Sequence, residues 1–250
     1  MSVAFSMPTP ATQSGLDFPQ PLTEKYRPEK LGDFIGIPQA KREAAAIISR
    51  PVPNSAYLFA GESGTGKTTM ALAIAKALNA QLHHLPARRA SKDEIDRIFE
   101  AVHYTTWTGS NWHVVIADEW DLSRIDLQQA FLSILDSTAG LSGALLGDWQ
   151  PHPPQVIWIF TTNADPASVW TDSRFEPRFL SRVRIVPFSN YGIQRELAEY
   201  LRAVWNAETD SKNGNGLPNF PRIAKELRGN VRACLMALEQ QITRGQYATA

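Results

Sequence analysis

One cysteine, Cys234, is all the thiol chemistry available to this chain of 250 residues. A lone cysteine excludes an intrachain disulfide and a cysteine-rich zinc cluster, and it suits a reducing compartment. Net charge is missing as well. The 25 Lys and Arg balance the 25 Asp and Glu, so overall charge gives no affinity for nucleic acid, and any basic surface must be local. No apolar run approaches the roughly 20 residues that a membrane-crossing helix needs. The first twenty residues are rich in Pro, Ser, Thr and Gln and lack the basic and apolar regions of a secretion signal. They read as a flexible tail over 1–21, and the expected protein is cytoplasmic with no membrane contact. The five histidines show no metal-ligand spacing. His83 and His84 fall in a strand-like run, where adjacent side chains point to opposite faces.

What the chain does have is Gly61-Glu62-Ser63-Gly64-Thr65-Gly66-Lys67-Thr68, a complete phosphate-binding loop followed by Thr69. An apolar run, Ala56 to Ala60, precedes it, and a helical pattern with Met70, Ala71, Ile74, Ala75 and Leu78 on one face follows. Glycines let backbone N–H groups curl around phosphate oxygens at a helix N-terminus whose dipole favours anions. Lys67 is expected on the β- and γ-phosphates, and the Thr68 hydroxyl on Mg²⁺. The loop therefore calls for ATP and Mg²⁺ as cofactors.

From Ala56 onward, strands and helices alternate. Strands are expected at 56–60, 82–85, 113–117, 155–161 and 183–188. The intervening helices are expected at 67–79, 92–103 and near 124–135, and an Ala-rich helix at 38–49 comes before them. This order predicts an α/β fold with a mostly parallel five-stranded sheet and helices on both faces. A Gly/Pro-rich loop is expected over 137–154. From Asn190 the strand pattern stops, and helices near 191–207, 218–227 and 230–244 surround a polar linker at 210–216. The expected domains are the α/β nucleotide-binding domain at 22–189 and a small helical domain at 190–250.

Two carboxylates end the third strand, Val114-Val115-Ile116-Ala117-Asp118-Glu119. Open α/β sheets bind ligands at the C-terminal strand edge, so both acids are expected to face the phosphates. Asp118 would hold Mg²⁺, and Glu119 would polarise the attacking water. The next strand ends in Thr161-Thr162-Asn163, where the neutral amide of Asn163 can bond the γ-phosphate and the water without competing for metal; a turn role for Asn163 is the alternative. Arg174, Arg178, Arg182 and Arg184 crowd the approach to the last strand. Arg232 begins the final helix, either reaching nucleotide or lying as a surface charge.

Taken together these motifs resemble the AAA+ ATPases, and among them the clamp-loader group with the small subunits of replication factor C. Glu24-Lys25-Tyr26-Arg27-Pro28, with Leu31 and Asp33-Phe34-Ile35-Gly36, is similar to the family's N-terminal box; the resemblance implies that Tyr26 and Arg27 lie against the adenine. Asp118-Glu119 is similar to Walker B and Asn163 to sensor 1. Leu180-Ser181-Arg182 resembles the motif whose arginine acts on a neighbour's ATP, which marks Arg182 as a finger in trans. Gly229-Asn230-Val231-Arg232 resembles sensor 2 and makes Arg232 a lid contact. By the same resemblance the turn holding Arg88, Arg89 and Lys92 faces DNA, with a solvated charged turn as the alternative. Val183 stands where the family has cysteine, and the interval from Asp118 to Asn163 is longer than usual. The resemblance runs from about residue 22 to 245 and does not include the family's collar domain, so a partner or the N-terminal tail is expected to help assembly.

The resemblance implies an ATPase of DNA replication that loads or remodels a replication protein on DNA, as a homo- or hetero-oligomer with other AAA+ subunits. A sliding clamp and a helicase are the candidate protein targets. A helicase loader or other remodeller is one alternative. A structural subunit that binds nucleotide without turnover is another.

Overall fold

A computed structural model of the chain describes residues 20–104, 106–136, 154–209 and 217–247, with the backbone alone over 244–247. Most of the tail, the Gly/Pro-rich loop up to residue 153 and the polar linker at 210–216 lie outside the described residues. The chain divides into two compact units: one holds 38–62 and 67–188, the other holds the N-terminal segment through Ile37, Ser63–Gly66 and the residues from Ser189 onward.

The larger unit is built on five parallel strands, β1 (Ser55–Gly61), β2 (Gln81–Pro86), β3 (His113–Asp118), β4 (Val156–Thr162) and β5 (Arg184–Phe188), in the order β2-β3-β4-β1-β5. The sequence explains which strands are central. β1, β3 and β4 are nearly continuous apolar runs buried along their length, as strands covered on both faces must be. β2 lies at an edge and alternates between half-buried and exposed positions until Leu85. Helices α2 (Pro38–Ser49), α3 (Lys67–Ala77), α4 (Lys92–Ala101), α5 (Ile125–Asp136) and the short α6 (Pro177–Leu180) complete the unit. In one part of the core, Trp120, Phe131, Trp158, Phe160 and Phe179 pack with centroids 4.9–6.3 Å apart. Asn54 ties the far end of the sheet to α5: its amide donates to the Ile134 carbonyl and its oxygen accepts from the Trp158 indole.

Every strand expected from sequence is present within one residue at each end. Because all the strands run parallel, the C-terminal ends of β1, β3 and β4 share one edge, where their loops converge.

The smaller unit packs α1 (Leu22–Lys25), α7 (Gln194–Glu208), α8 (Phe220–Glu226) and α9 (Val231–Tyr247). Leu22, Tyr26 and Ile35 are buried in one cluster with Leu197, Tyr200, Leu201, Phe220, Cys234 and Leu238. The segment 22–37, assigned from sequence to the α/β domain, therefore packs with the helices, because its apolar residues find their partners there. Burial pushes the Cys234 thiol up to about 11, which keeps it protonated and unreactive.

Candidate nucleotide-binding and catalytic site

The phosphate loop leaves β1 at Gly61 and enters α3 at Lys67. Gly61 has φ +152, and a Cβ there would lie 2.0 Å from the Phe188 carbonyl, so β1 and β5 approach this closely only because the residue is glycine. Ser63–Gly66 form the tip. Gly64 sits at φ +78, and a side chain on it would meet the Asn230 amide at 2.2 Å. Asn230 caps α9 by accepting from the Ala233 N–H at 3.0 Å, and its Nδ2 donates to the Ser63 carbonyl at 3.0 Å. Glu62 is exposed, while Thr65 and Thr69 are buried.

Lys67 is buried, and its ammonium donates to the Gly61 and Glu62 carbonyls at 2.8 Å each and to Asn163 Oδ1 at 3.1 Å. The loop's cation and the amide at the end of β4 are thus brought together. The Thr68 hydroxyl donates to Asp118 Oδ1 at 3.0 Å, joining the start of α3 to the end of β3. A hydroxyl and a carboxylate are hard oxygen donors that fit Mg²⁺, which keeps several waters and binds through one or two such groups.

Glu119 sits in the left-handed region at φ +54, ψ +46, a conformation that costs a non-glycine residue on the order of 1–3 kcal/mol. It is held from both sides: its N–H donates to Thr161 Oγ1 at 3.1 Å, and the next residue, Trp120, is fully buried among aromatic rings. The Thr161 hydroxyl in turn donates to Asp118 Oδ1 at 2.5 Å. Sequence reasoning passed over Thr161. Its signal is the hydroxyl pair Thr161-Thr162 closing an otherwise apolar buried strand just before Asn163.

The Glu119 carboxylate meets Arg88 Nε at 3.5 Å. Arg88 stands in the turn between β2 and α4, whose backbone is fixed by the Ala87 N–H on the Asp118 carbonyl. Arg89 and Lys92 in the same turn are exposed. Ser91 caps α4 by accepting from the Glu94 N–H, and Asp93 and Glu94 fill its first turn. The turn expected to face DNA phosphates therefore has an acidic helix start, and one of its three cations points at Glu119.

The arginines near β5 are mostly paired. Arg174 bridges Asp172 at 2.6 Å and the buried Asp121 at 2.7 Å, and hydrogen bonds from Arg174 hold the Asp172 carboxyl below its usual range. Arg178 pairs with Glu176, and Arg184 with Glu43. Arg182 clasps Asp136 with Nε and Nη2, both at 2.6 Å. It precedes the N-terminal end of β5, at the sheet edge opposite the phosphate loop.

In the smaller unit, the Tyr26 ring is buried, and its hydroxyl donates to Glu208 at 2.5 Å beside the Lys25–Glu208 pair at 2.8 Å. Burial and that carboxylate push its pKa up. Arg27 is paired with Glu24. Arg232 is exposed on the first turn of α9.

A parallel sheet in this strand order, with a lysine loop after β1, two acids after β3 and an asparagine after β4, defines a P-loop α/β fold. The chain belongs to the ATPase family associated with various cellular activities, whose model matches residues 57–185. It is similar to the replication factor C small subunit of Halobacterium salinarum, at 33% identity over 114 residues, which covers 43% of this chain and 35% of that protein. It is also similar to DNA polymerase III subunit gamma/tau of Mycoplasma pneumoniae, 48% identical over 58 residues, or 23% of this chain and 8% of the other. The chain thus matches about a third, or less, of the length of these relatives. In fold it is similar to the RuvB Holliday junction branch migration motor of Thermotoga maritima, with a TM-score of 0.63 at 21% identity, over 88% of this chain and 65% of the other. Among the described residues no helix is long and apolar enough to cross a membrane.

Proposed function

We propose that the chain hydrolyses ATP as one subunit of a DNA-associated AAA+ assembly related to clamp loaders, using the cycle to load or remodel a replication protein on DNA. The observation that carries this reading is the meeting of Lys67, Thr68, Asp118, Glu119 and Asn163 at one sheet edge, each with a hydrogen bond or ion pair to its neighbours. Backbone N–H groups of 61–69 would wrap the phosphates, and Lys67 would exchange its carbonyl partners for β- and γ-phosphate oxygens. Thr68 and Asp118 would hold Mg²⁺, which when bound neutralises charge on the phosphates. Glu119 would take the proton of the attacking water, and Asn163 would orient that water and the γ-phosphate. Arg182 would serve a neighbour's nucleotide in trans, with Arg232 as a lid contact and Tyr26 and Arg27 as parts of the adenine side.

The division at about residue 190 supports an α/β domain followed by a helical lid. Similarity to replication factor C and to a DNA polymerase III subunit supports DNA, other AAA+ subunits and a sliding clamp or helicase as partners, with work in the cytoplasm beside DNA. Retention of Lys67, Glu119 and Asn163 in bonded contact with their neighbours speaks against a subunit that only binds nucleotide.

The test is ATPase rate without DNA, with single-stranded DNA and with primer–template junctions, each with and without a sliding clamp. Junction plus clamp giving the highest rate is the expected result. Stimulation by a helicase or by single strands alone would favour the helicase-loader reading, and no turnover under any condition would overturn hydrolysis.

A further inference from the structure

Thr161 is buried at the end of β4, one strand away from the carboxylates of β3. Its hydroxyl makes two bonds in opposite senses: it donates to Asp118 Oδ1 at 2.5 Å and accepts from the Glu119 N–H at 3.1 Å. A hydroxyl has one donor and two acceptor sites, so both bonds are made at once. Valine, of the same shape, would make neither.

The two bonds fix different things. The first sets the rotation of the Asp118 carboxylate, whose Oδ1 is shared with the Thr68 hydroxyl. The second anchors the backbone of Glu119 in the left-handed region at φ +54, the conformation from which its carboxylate meets Arg88 at 3.5 Å. Asn163, two residues further along the same strand, accepts from Lys67. One strand end thus governs the metal-side acid, the base and the loop lysine together.

Resting on the nucleotide-hydrolysing reading above, we infer that Thr161 is a positioning residue whose single hydroxyl sets the geometry of both acids, Asp118 for Mg²⁺ and Glu119 for water. Its hydroxyl bonds go to the two acids, so it acts through them. Outer partners that orient ligating groups are typically worth about 10–100-fold in metal affinity or activity.

The experiment uses the full chain carrying Thr161→Val, Thr161→Ser or Thr161→Ala. Two measurements are made: steady-state ATPase, and binding of a fluorescent ATP analogue across a Mg²⁺ titration and in EDTA. Thr161→Val is expected to lower kcat roughly 10–100-fold and raise the Mg²⁺ midpoint for analogue binding by about tenfold. KM for ATP and affinity in EDTA stay unchanged, because the phosphate loop is intact. Thr161→Ser restores kcat and midpoint, since it keeps the hydroxyl. A valine variant with wild-type kcat and midpoint overturns the inference, as does a serine variant no better than valine. Thr161→Ala gives the same readouts should the valine variant not fold. If neither folds while the serine variant does, the hydroxyl is structural and the inference fails. Absence of turnover in the wild type would overturn ATP hydrolysis, yet the Mg²⁺ midpoint would still decide the role of Thr161.

Discussion

Glu119 is the residue on which the proposed chemistry turns, and it rests on an arginine. The Arg88–Glu119 contact is 3.5 Å long between side chains that are 72% and 49% exposed, so it belongs with surface pairs worth about 0–1 kcal/mol. Such a pair is cheap to break. It holds the carboxylate toward the β2–α4 turn, and anything drawing Arg88 away releases the base. Arg88→Ala is therefore expected to raise basal ATPase, by up to roughly fivefold if the full pair energy is recovered, and to blunt stimulation by DNA. Arg89→Ala and Lys92→Ala, whose side chains are exposed, should weaken DNA binding and flatten its salt dependence by about one unit of slope per lost contact, with basal rate unchanged. Steady-state rates and DNA affinities at several salt concentrations separate the two classes; a basal rate unmoved by Arg88→Ala would return it to the solvated turn. From sequence the three cations formed one group. That Arg88 stands apart was not legible, because the contact joins residues 31 positions apart and depends on how β2 and β3 align their ends. Lys67, Thr68, Asp118 and Asn163 were legible because each sits at a fixed offset from the end of a strand or the start of a helix.

At the scale of elements, the pairing of β2 with β3 carries a titratable lock. His83 Nε2 lies 3.0 Å from His113 Nδ1, and His113 Nε2 lies 3.0 Å from the Tyr104 carbonyl. A carbonyl only accepts, so His113 carries its hydrogen on Nε2, and Nδ1 accepts from His83. That chain requires neutral His113. Burial is the main reason both groups fall below their ordinary value of 6.5; His113 lowers His83 further, and His103 acts on His113 in the same sense. The unfolded chain therefore binds protons first. Stability is fully present above about pH 6.5 and is lost as pH falls from there through the lower folded values, by up to about 1.4 kcal/mol per pH unit for each group. Thermal unfolding between about pH 7.5 and 5 should show this loss, and His83→Gln should make it shallower by removing one titrating group; an identical slope would assign the acid sensitivity elsewhere. The central strands were readable, since buried apolar runs of six or seven residues bounded by turns leave little choice. The histidine lock was not, because the reading weighed His83 against its neighbour in sequence, while its partner stands on the adjacent strand. The N-terminal segment was harder still: Leu22, Tyr26 and Ile35 announce burial, but nothing local says which core receives them.

At the scale of the proposed assembly, Arg182 would serve a second copy or a related subunit. β5 runs parallel to β1, with Arg184 opposite Tyr57 and Phe188 opposite Gly61. Arg182 therefore stands before the first rung of the sheet, which is itself about four strand residues or roughly 13 Å below the level of Gly61. An arginine placed there serves no phosphate on its own loop, and within the chain it is held by Asp136, whose carboxyl the Arg182 hydrogen bonds keep low. A neighbour presenting its nucleotide to this edge would compete for the guanidinium with a phosphoryl group of higher charge. Arg182→Ala should then keep nucleotide affinity in the isolated subunit and lose much of the assembled turnover, an arginine finger being worth about 10³–10⁵ in rate. Lys67→Ala should lose nucleotide binding but keep its finger. Mixed together, the two inactive variants should recover activity, because an interface formed by an intact loop from one and an intact Arg182 from the other is complete. ATPase measured across mixing ratios at fixed total protein should pass through a maximum near equal amounts. A flat line at the sum of the two parents would remove Arg182 from catalysis and leave its clasp on Asp136 as a tie between α5 and the start of β5.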